Sequence, residues 1–276
     1  MNNKSLAIGN SVAFIAMIVV NALASYLPLN GVDTAAVSDR YYNLFTPAGI
    51  TFSIWGVIYL WLLVFTVVQV RETFRSSTEG ASVGASVGTS VGASIGASIG
   101  ASIGASIHER IGIRYILVCL LNAAWLFTWH YDILSLSLVV MAALAGVLWS
   151  LCTRLRNAPT TTRDTLLVRA PFSIFMGWIT LATIANLMAF LVSRDLTNAL
   201  MSESSLTILL IAVGTLIAAS VAFLRRDAFY AAAVVWGLCG IVIRHASEGG
   251  NEMVMYAAIA GAVVVGMAGV RGVLKQ

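Results

Sequence analysis

Apolar residues in this chain come in long runs separated by short polar segments. A membrane span takes about 20 mostly apolar residues. Eight runs meet that pattern: residues 6–28, 47–70, 112–130, 133–152, 170–193, 206–224, 228–245 and 253–272. They predict an all-α polytopic integral membrane protein with about eight transmembrane helices. Only His130-Tyr131-Asp132 separates the third and fourth runs, so these form an antiparallel hairpin. Pro171 falls near the start of the fifth run, where a first helical turn tolerates it. Small residues at Gly214, Ala218 and Ala222, and again at Ala258, Ala262 and Gly266, are spaced to serve as packing seams.

One stretch fits no span. From Gly80 to Ile107 a tetrapeptide repeats, ASVG drifting to ASIG. Its small-xxx-small spacing mimics a helix-packing motif. A period of four, however, advances about 40° per unit on a 3.6-residue helix, so Val and Ile hold no fixed face. Each glycine also costs a helix about 1 kcal/mol. As a strand the repeat would be silk-like. The favoured reading of residues 76–108 is a flexible low-complexity insertion in a cytoplasmic loop; a helical excursion and a strand are the alternatives.

Charge placement tests the span count. If the N-terminus is inside, Lys4, Arg71, Arg75, Arg110, Arg114, Arg154, Arg156, Arg163, Arg169, Arg225, Arg226, Arg271 and Lys275 all fall inside. Only Arg40, Arg194 and Arg244 of the 16 Lys and Arg residues fall outside. Cytoplasmic loops carry such an excess. Were the repeat to cross, every later loop would flip and the asymmetry would shrink. Eight spans with both termini cytoplasmic follow, and short loops with this pattern fit a bacterial inner membrane. The first run ends in Ala22-Leu23-Ala24, which resembles a signal-peptidase site, but it is long and carries Asn21. It is read as an uncleaved first span.

Composition agrees. Hydrophobic residues make up 59% and charged residues 10% of the chain, with mean hydropathy +0.90, whereas a soluble domain is about a quarter charged. The pI near 9.1 reflects the cytoplasmic loops and gives no reason to expect a nucleic-acid partner. The lipid bilayer is the partner that composition requires. Cys119, Cys152 and Cys239 are far apart in apolar surroundings and read as small core residues.

Conventional chemistry finds little support. All 12 Asp and Glu residues lie in loops or at span ends. Intramembrane charges mark proton relays and ion-coupled transport, so an ion-driven pump is disfavoured. His108, His130 and His245 sit at separate span ends. No cluster suits a metal, no nucleophile stands beside a base, and no phosphate-binding loop is present. What the spans do hold is Trp and Asn on common faces. Trp55 and Tyr59 are four apart; Asn122, Trp125 and Trp129 share a face, as do Trp178, Ala182 and Asn186; Asn21 adds an amide on the first span. An amide facing lipid is costly, so these faces turn inward. Either the amides tie helices together and the Trp rings fill space, or the faces line a pocket for a large, flat, apolar ligand. Spacing alone leaves both open.

Three segments resemble the TspO/MBR family of translocator and tryptophan-rich sensory proteins. FTPAGITFSIWGVIYLWL (Phe45–Leu62) is similar to its loop and second helix, LLNAAWLFTW (Leu120–Trp129) to its third-helix Asn-x-x-Trp motif, and WITLATIAN (Trp178–Asn186) to its fifth helix. The resemblance covers about residues 6–195, apart from the repeat. It implies a five-helix unit over 1–195 whose pocket is capped by the first loop, followed by a three-helix C-terminal extension over 196–276. Such proteins bind porphyrins and other hydrophobic ligands, some promote light-dependent porphyrin breakdown, and they are often homodimers. The ligand-binding residues it implies are Trp55, Tyr59, Asn122, Trp125, Trp178 and Asn186, with Phe45 and Pro47 closing the loop. Departures are visible. Phe52 to Trp55 is one residue shorter than the family spacing, and Pro171 lies seven residues before Trp178 rather than four. Phe190, near Arg194, stands where the animal sterol motif has Tyr, so the resemblance does not extend to sterol binding.

The resulting expectation is a membrane-embedded binding or sensory protein for a tetrapyrrole or similar apolar molecule, with no required cofactor. A transporter or permease, and an enzyme that degrades porphyrin in light, are the alternatives.

Overall fold

Each apolar run becomes a helix. The computed structural model describes residues 3–26, 29–83, 110–157, 161–197 and 201–273. The helices are α1 (Asn3–Tyr26), a short loop helix α2 (Thr34–Arg40), α3 (Ile54–Val83), α4 (Arg114–His130), α5 (Leu134–Arg156), α6 (Ala170–Ser193), α7 (Glu203–Arg225), α8 (Ala228–Ser247) and α9 (Glu252–Val273). No strand occurs among the described residues. Seven of the helical segments are long and apolar enough to cross a membrane. The eighth expected span, α4, has 17 residues because a turn at Gly112 and Ile113 precedes it. At 1.5 Å per residue it still reaches about 26 Å, against a hydrocarbon core of about 30 Å. Of the repeat, Gly80–Val83 continues α3, and 84–109 lie outside the described residues.

Capping sets several boundaries. Asp33 accepts from the Ala36 N–H at 2.8 Å and starts α2. Thr161 and Asp164 form a reciprocal capping box ahead of α6, which enters through one π-helical turn at Thr165–Arg169 and carries Pro171 in its first turn. Ser202 caps α7 and Asp227 caps α8. The α4–α5 hairpin closes with Asp132 at φ 59°, and Arg40 pairs with the Asp132 carboxylate.

In lipid, helices gain little from apolarity alone, so close packing and interhelical hydrogen bonds decide which faces meet. Helices α1, α3, α4, α5 and α6 form one bundle. Its core includes Phe65, Tyr115 and Phe172, whose ring centroids are 5.0–5.4 Å apart. Helix α8 then packs along α6, while α9 packs on both α7 and α8. The α6–α8 contact is unusually close: an ideal Cβ on Gly177 would stand 2.4 Å from the Tyr230 carbonyl oxygen. Gly214, Ala218 and Ala222 are buried on α7, as expected of a seam. On α9 the expected seam shifts. The buried line is Val254, Ala258, Gly261, Val265 and Gly269, with Ala262 and Gly266 only half-buried. A step of three among steps of four keeps this line close to the 3.6-residue turn, whereas steps of four alone drift off it.

Candidate functional site

The first loop folds back over the bundle. Asn43 organises it: its side chain accepts from the Phe45 N–H at 2.9 Å and donates to the Tyr41 carbonyl at 2.9 Å, and its N–H donates to Thr46 Oγ1 at 3.1 Å. Tyr41 donates to Asp132 Oδ1 at 3.2 Å; burial first, and then the Asp132 carboxylate, raise its pKa, which keeps that proton in place. From here the chain turns under Pro47 into a 3₁₀ segment, Gly49–Ser53, and then into α3.

Helices α7 and α8 hold this loop. The Ala48 N–H donates to the Gly240 carbonyl at 3.0 Å, and Trp236 Nε1 donates to the Thr51 carbonyl at 2.9 Å. His245 Nδ1 accepts from the Asn251 N–H at 3.1 Å, so the ring is neutral and its Nε2–H donates to the Leu44 carbonyl at 2.8 Å. The Leu44 N–H donates to Glu203 Oε1 at 2.9 Å, and Arg244 pairs with Asp39 at 2.9 Å. Thr51 lies so close to α8 that a Cβ on Gly240 would sit 2.1 Å from its Oγ1.

Beneath the loop is an apolar cavity of about 50 Å³. Phe45, Pro47, Trp55, Trp125, Trp178 and Asn186 all line it, together with Thr34, Ser38, Phe52, Trp129, Leu181, Ala182, Ala185, Gly237 and Ile241. A groove of about 570 Å³ adjoins it between α1 and α3, lined by Ile18, Asn21, Asp33, Gly56, Tyr59 and Leu126 among others. Thr34, Phe52, Trp55 and Trp125 border both spaces. The dividing wall is aromatic. Tyr59, Trp55, Trp125 and Trp129 form a stacked row with successive centroid distances of 5.4, 5.8 and 5.9 Å, and Trp178 meets Trp55 edge-on at 6.0 Å.

Polar atoms divide into two sets. Tyr59 OH donates to Asn21 Oδ1 at 2.6 Å, and Asn21 Nδ2 donates to Asn122 Oδ1 at 3.0 Å. This network ties α1, α3 and α4 together. Asn122 is fully buried in it and lines neither space, while Tyr59 lines the groove. The second set is different. Trp125 Nε1, Trp178 Nε1 and Asn186 Oδ1 are buried without a hydrogen-bond partner in the protein, and all three residues line the cavity. Asn186 is oriented by its other atom, Nδ2, which donates to Ser137 Oγ at 3.0 Å.

Gly237, Ile241 and the clamp residues Trp236, His245 and Glu203 were not singled out from the sequence as site residues. Trp236 and His245 are the available signals, a lone Trp and a span-end His in an otherwise plain helix; both acceptors are backbone carbonyls, which no side-chain pattern marks. Among the described residues no group of His, Cys, Asp and Glu is placed to hold a metal.

A comparison with the curated proteins finds no match, and neither does one with the solved structures. The family model for TSPO-like proteins matches residues 7–271, a stretch that includes α7, α8 and α9 as well as the segments of motif resemblance. This chain, an all-helical membrane protein, belongs to the TSPO-like family.

Proposed function

We propose that the chain is a membrane-embedded binding or sensory protein whose ligand is a tetrapyrrole. The observation that carries this reading is the trio Trp125 Nε1, Trp178 Nε1 and Asn186 Oδ1, two donors and one acceptor without protein partners at an apolar, Trp-walled cavity. A buried polar group left unpaired costs about 1–3 kcal/mol. A ligand that pairs them recovers that cost, and a flat macrocycle gains stacking area on the Trp faces. Ligand sites usually enclose about 300–1,000 Å³. The cavity alone is too small, so the Trp55 and Trp125 side chains, which border both spaces, swing aside on binding to join groove and cavity and bring the macrocycle to the trio. Family membership supports a binding protein of this kind. The protein sits in a bacterial inner membrane with both termini cytoplasmic, in keeping with its basic segments, and pairs there as a homodimer.

The test is a titration of purified protein with protoporphyrin, following Trp fluorescence and the Soret band, beside a Trp55→Phe, Trp178→Phe double variant. Saturable quenching with a Soret shift, weakened about tenfold in the variant, is expected from loss of one hydrogen bond and part of the stacking surface. Equal affinity in both proteins would remove the site assignment. Flux of the ligand across sealed vesicles holding only this protein would instead identify a permease.

The stacked row Tyr59–Trp55–Trp125–Trp129 favours a second reading, light-dependent breakdown of a bound porphyrin with Trp as redox partner. Bleaching in light that requires Trp55 would support it. Equal bleaching in the double variant excludes it.

A further inference from the structure

Neither the cavity nor the groove offers a positive charge. Among the described residues, Asp33 is the one charged side chain that lines the groove, and none lines the cavity. The cations carried by the loop and its clamp are engaged elsewhere: Arg40 pairs with Asp132, and Arg244 with Asp39 at 2.9 Å. Asp33 is exposed at the groove as the N-cap of α2, with Oδ1 accepting from the Ala36 N–H.

The cavity groups that lack a partner are neutral. Trp125 Nε1 and Trp178 Nε1 are uncharged donors, and Asn186 Oδ1 is an acceptor. An acceptor oxygen repels a carboxylate brought into the same small space. A carboxylate taken from water into such surroundings loses its hydration and meets no guanidinium or ammonium in return. A neutral carbonyl fits them better: it accepts from an indole N–H and brings no charge to desolvate.

Protoporphyrin carries two propionates on one edge, both ionised at neutral pH. With that edge turned inward, the carboxylates lie unpaired beside Asn186 Oδ1. With it turned outward along the groove, they pass Asp33, a charge of the same sign. Given a tetrapyrrole ligand, on which this depends, we infer that the site selects by charge. It takes a tetrapyrrole whose acid side chains are esterified in preference to the free dicarboxylate, and Asp33 is a specificity-determining residue at the groove.

The full chain in a neutral detergent is titrated with protoporphyrin and with its dimethyl ester, following Trp quenching. Each Kd is corrected for partition into protein-free micelles, and the readout is the ratio of the two. Gly56 lines the groove, and a Cβ added there meets nothing within 4 Å. Gly56→Arg therefore places a guanidinium beside the ligand, and Gly56→Met adds similar bulk without charge. Asp33→Asn removes the negative charge and keeps the cap, since Asn caps about as well as Asp. In the wild type the ester should bind at least about tenfold more tightly. Gly56→Arg should shift the ratio about tenfold toward the diacid, and Gly56→Met should leave it unchanged. Asp33→Asn should shift it about two- to fivefold in the same direction, as for an exposed charge pair. Should Gly56→Arg fail to fold, Asp33→Asn carries the test alone. Diacid bound as tightly as ester in the wild type, or a ratio indifferent to both charge changes, would overturn the inference and leave the tetrapyrrole reading standing. Saturable binding of neither porphyrin would overturn both.

Discussion

At Gly177 a methyl group would meet a backbone carbonyl 2.4 Å away, and Ala233 Cβ at 2.9 Å. Backbone cannot step aside as a side-chain tip can, so Gly177→Ala forces α6 and α8 apart. A loss of about 1–3 kcal/mol is expected, read as a lower midpoint in thermal unfolding. Gly146 meets nothing within 4 Å. Gly146→Ala gains helix propensity and should be neutral or stabilising by about 0.5–1 kcal/mol; similar effects at the two positions would show that close approach is not the cause. Tyr59→Phe separates the two polar sets. It removes the 2.6 Å bond to Asn21 but keeps the ring in the groove. Stability should fall by about 1 kcal/mol while porphyrin affinity stays nearly unchanged, and the reverse pattern would place the hydroxyl on the ligand. Spacing had left packing and pocket readings both open for the Trp and Asn faces. The structure separates the two amides by place: each has one paired and one unpaired atom, but Asn122 lies in the interhelical network away from both spaces, whereas the residue with the unpaired oxygen, Asn186, lines the cavity. Which amide reaches the cavity depends on the neighbouring helices, and a single helix face does not carry that information.

Among the elements, the first loop depends most on distant sequence. Four separate bonds join residues 44–51 to α7 and α8, and only two of them use a side chain that sequence could flag as unusual, Trp236 and His245. His245→Ala leaves the Leu44 carbonyl and the Asn251 N–H without their ring partner. Amide exchange across residues 43–51 should then quicken by about tenfold, the equivalent of one lost hydrogen bond. Unchanged exchange would mean that the remaining contacts hold the loop alone. Helix positions, by contrast, were legible to within about four residues except for the second run, read as 47–70 where α3 is Ile54–Val83, because apolar runs bounded by basic segments reflect the bilayer itself. The α9 seam was legible only in kind. Ala262 and Gly266 look like a continuation of Ala258, but the face that meets Thr215 and Ala231 runs through Gly261 and Gly269.

For the whole molecule, motif resemblance divides the chain at residue 195, whereas the site draws on both sides of that division. Gly237 and Ile241 close the cavity that Trp55 and Trp178 begin, and the family match runs on to residue 271. Removing residues 196–276 would expose the face of α6 around Gly177 and Leu181, which now meets α8. It would also leave the loop without its clamp. A chain ending at Asp195 should therefore lose cooperative unfolding and bind protoporphyrin at least about tenfold more weakly, as expected when a pre-organised wall and loop must be ordered at binding. Circular dichroism melting and the same Soret titration read both effects. If the shortened chain melts sharply and binds as tightly as the full one, the five-helix unit is self-sufficient and the last three helices serve another purpose. If binding is lost but returns when the 196–276 segment is co-expressed, those helices are a structural part of the site. That outcome would also explain why the loop's strongest contacts reach across about 200 positions of sequence, from Leu44 to His245.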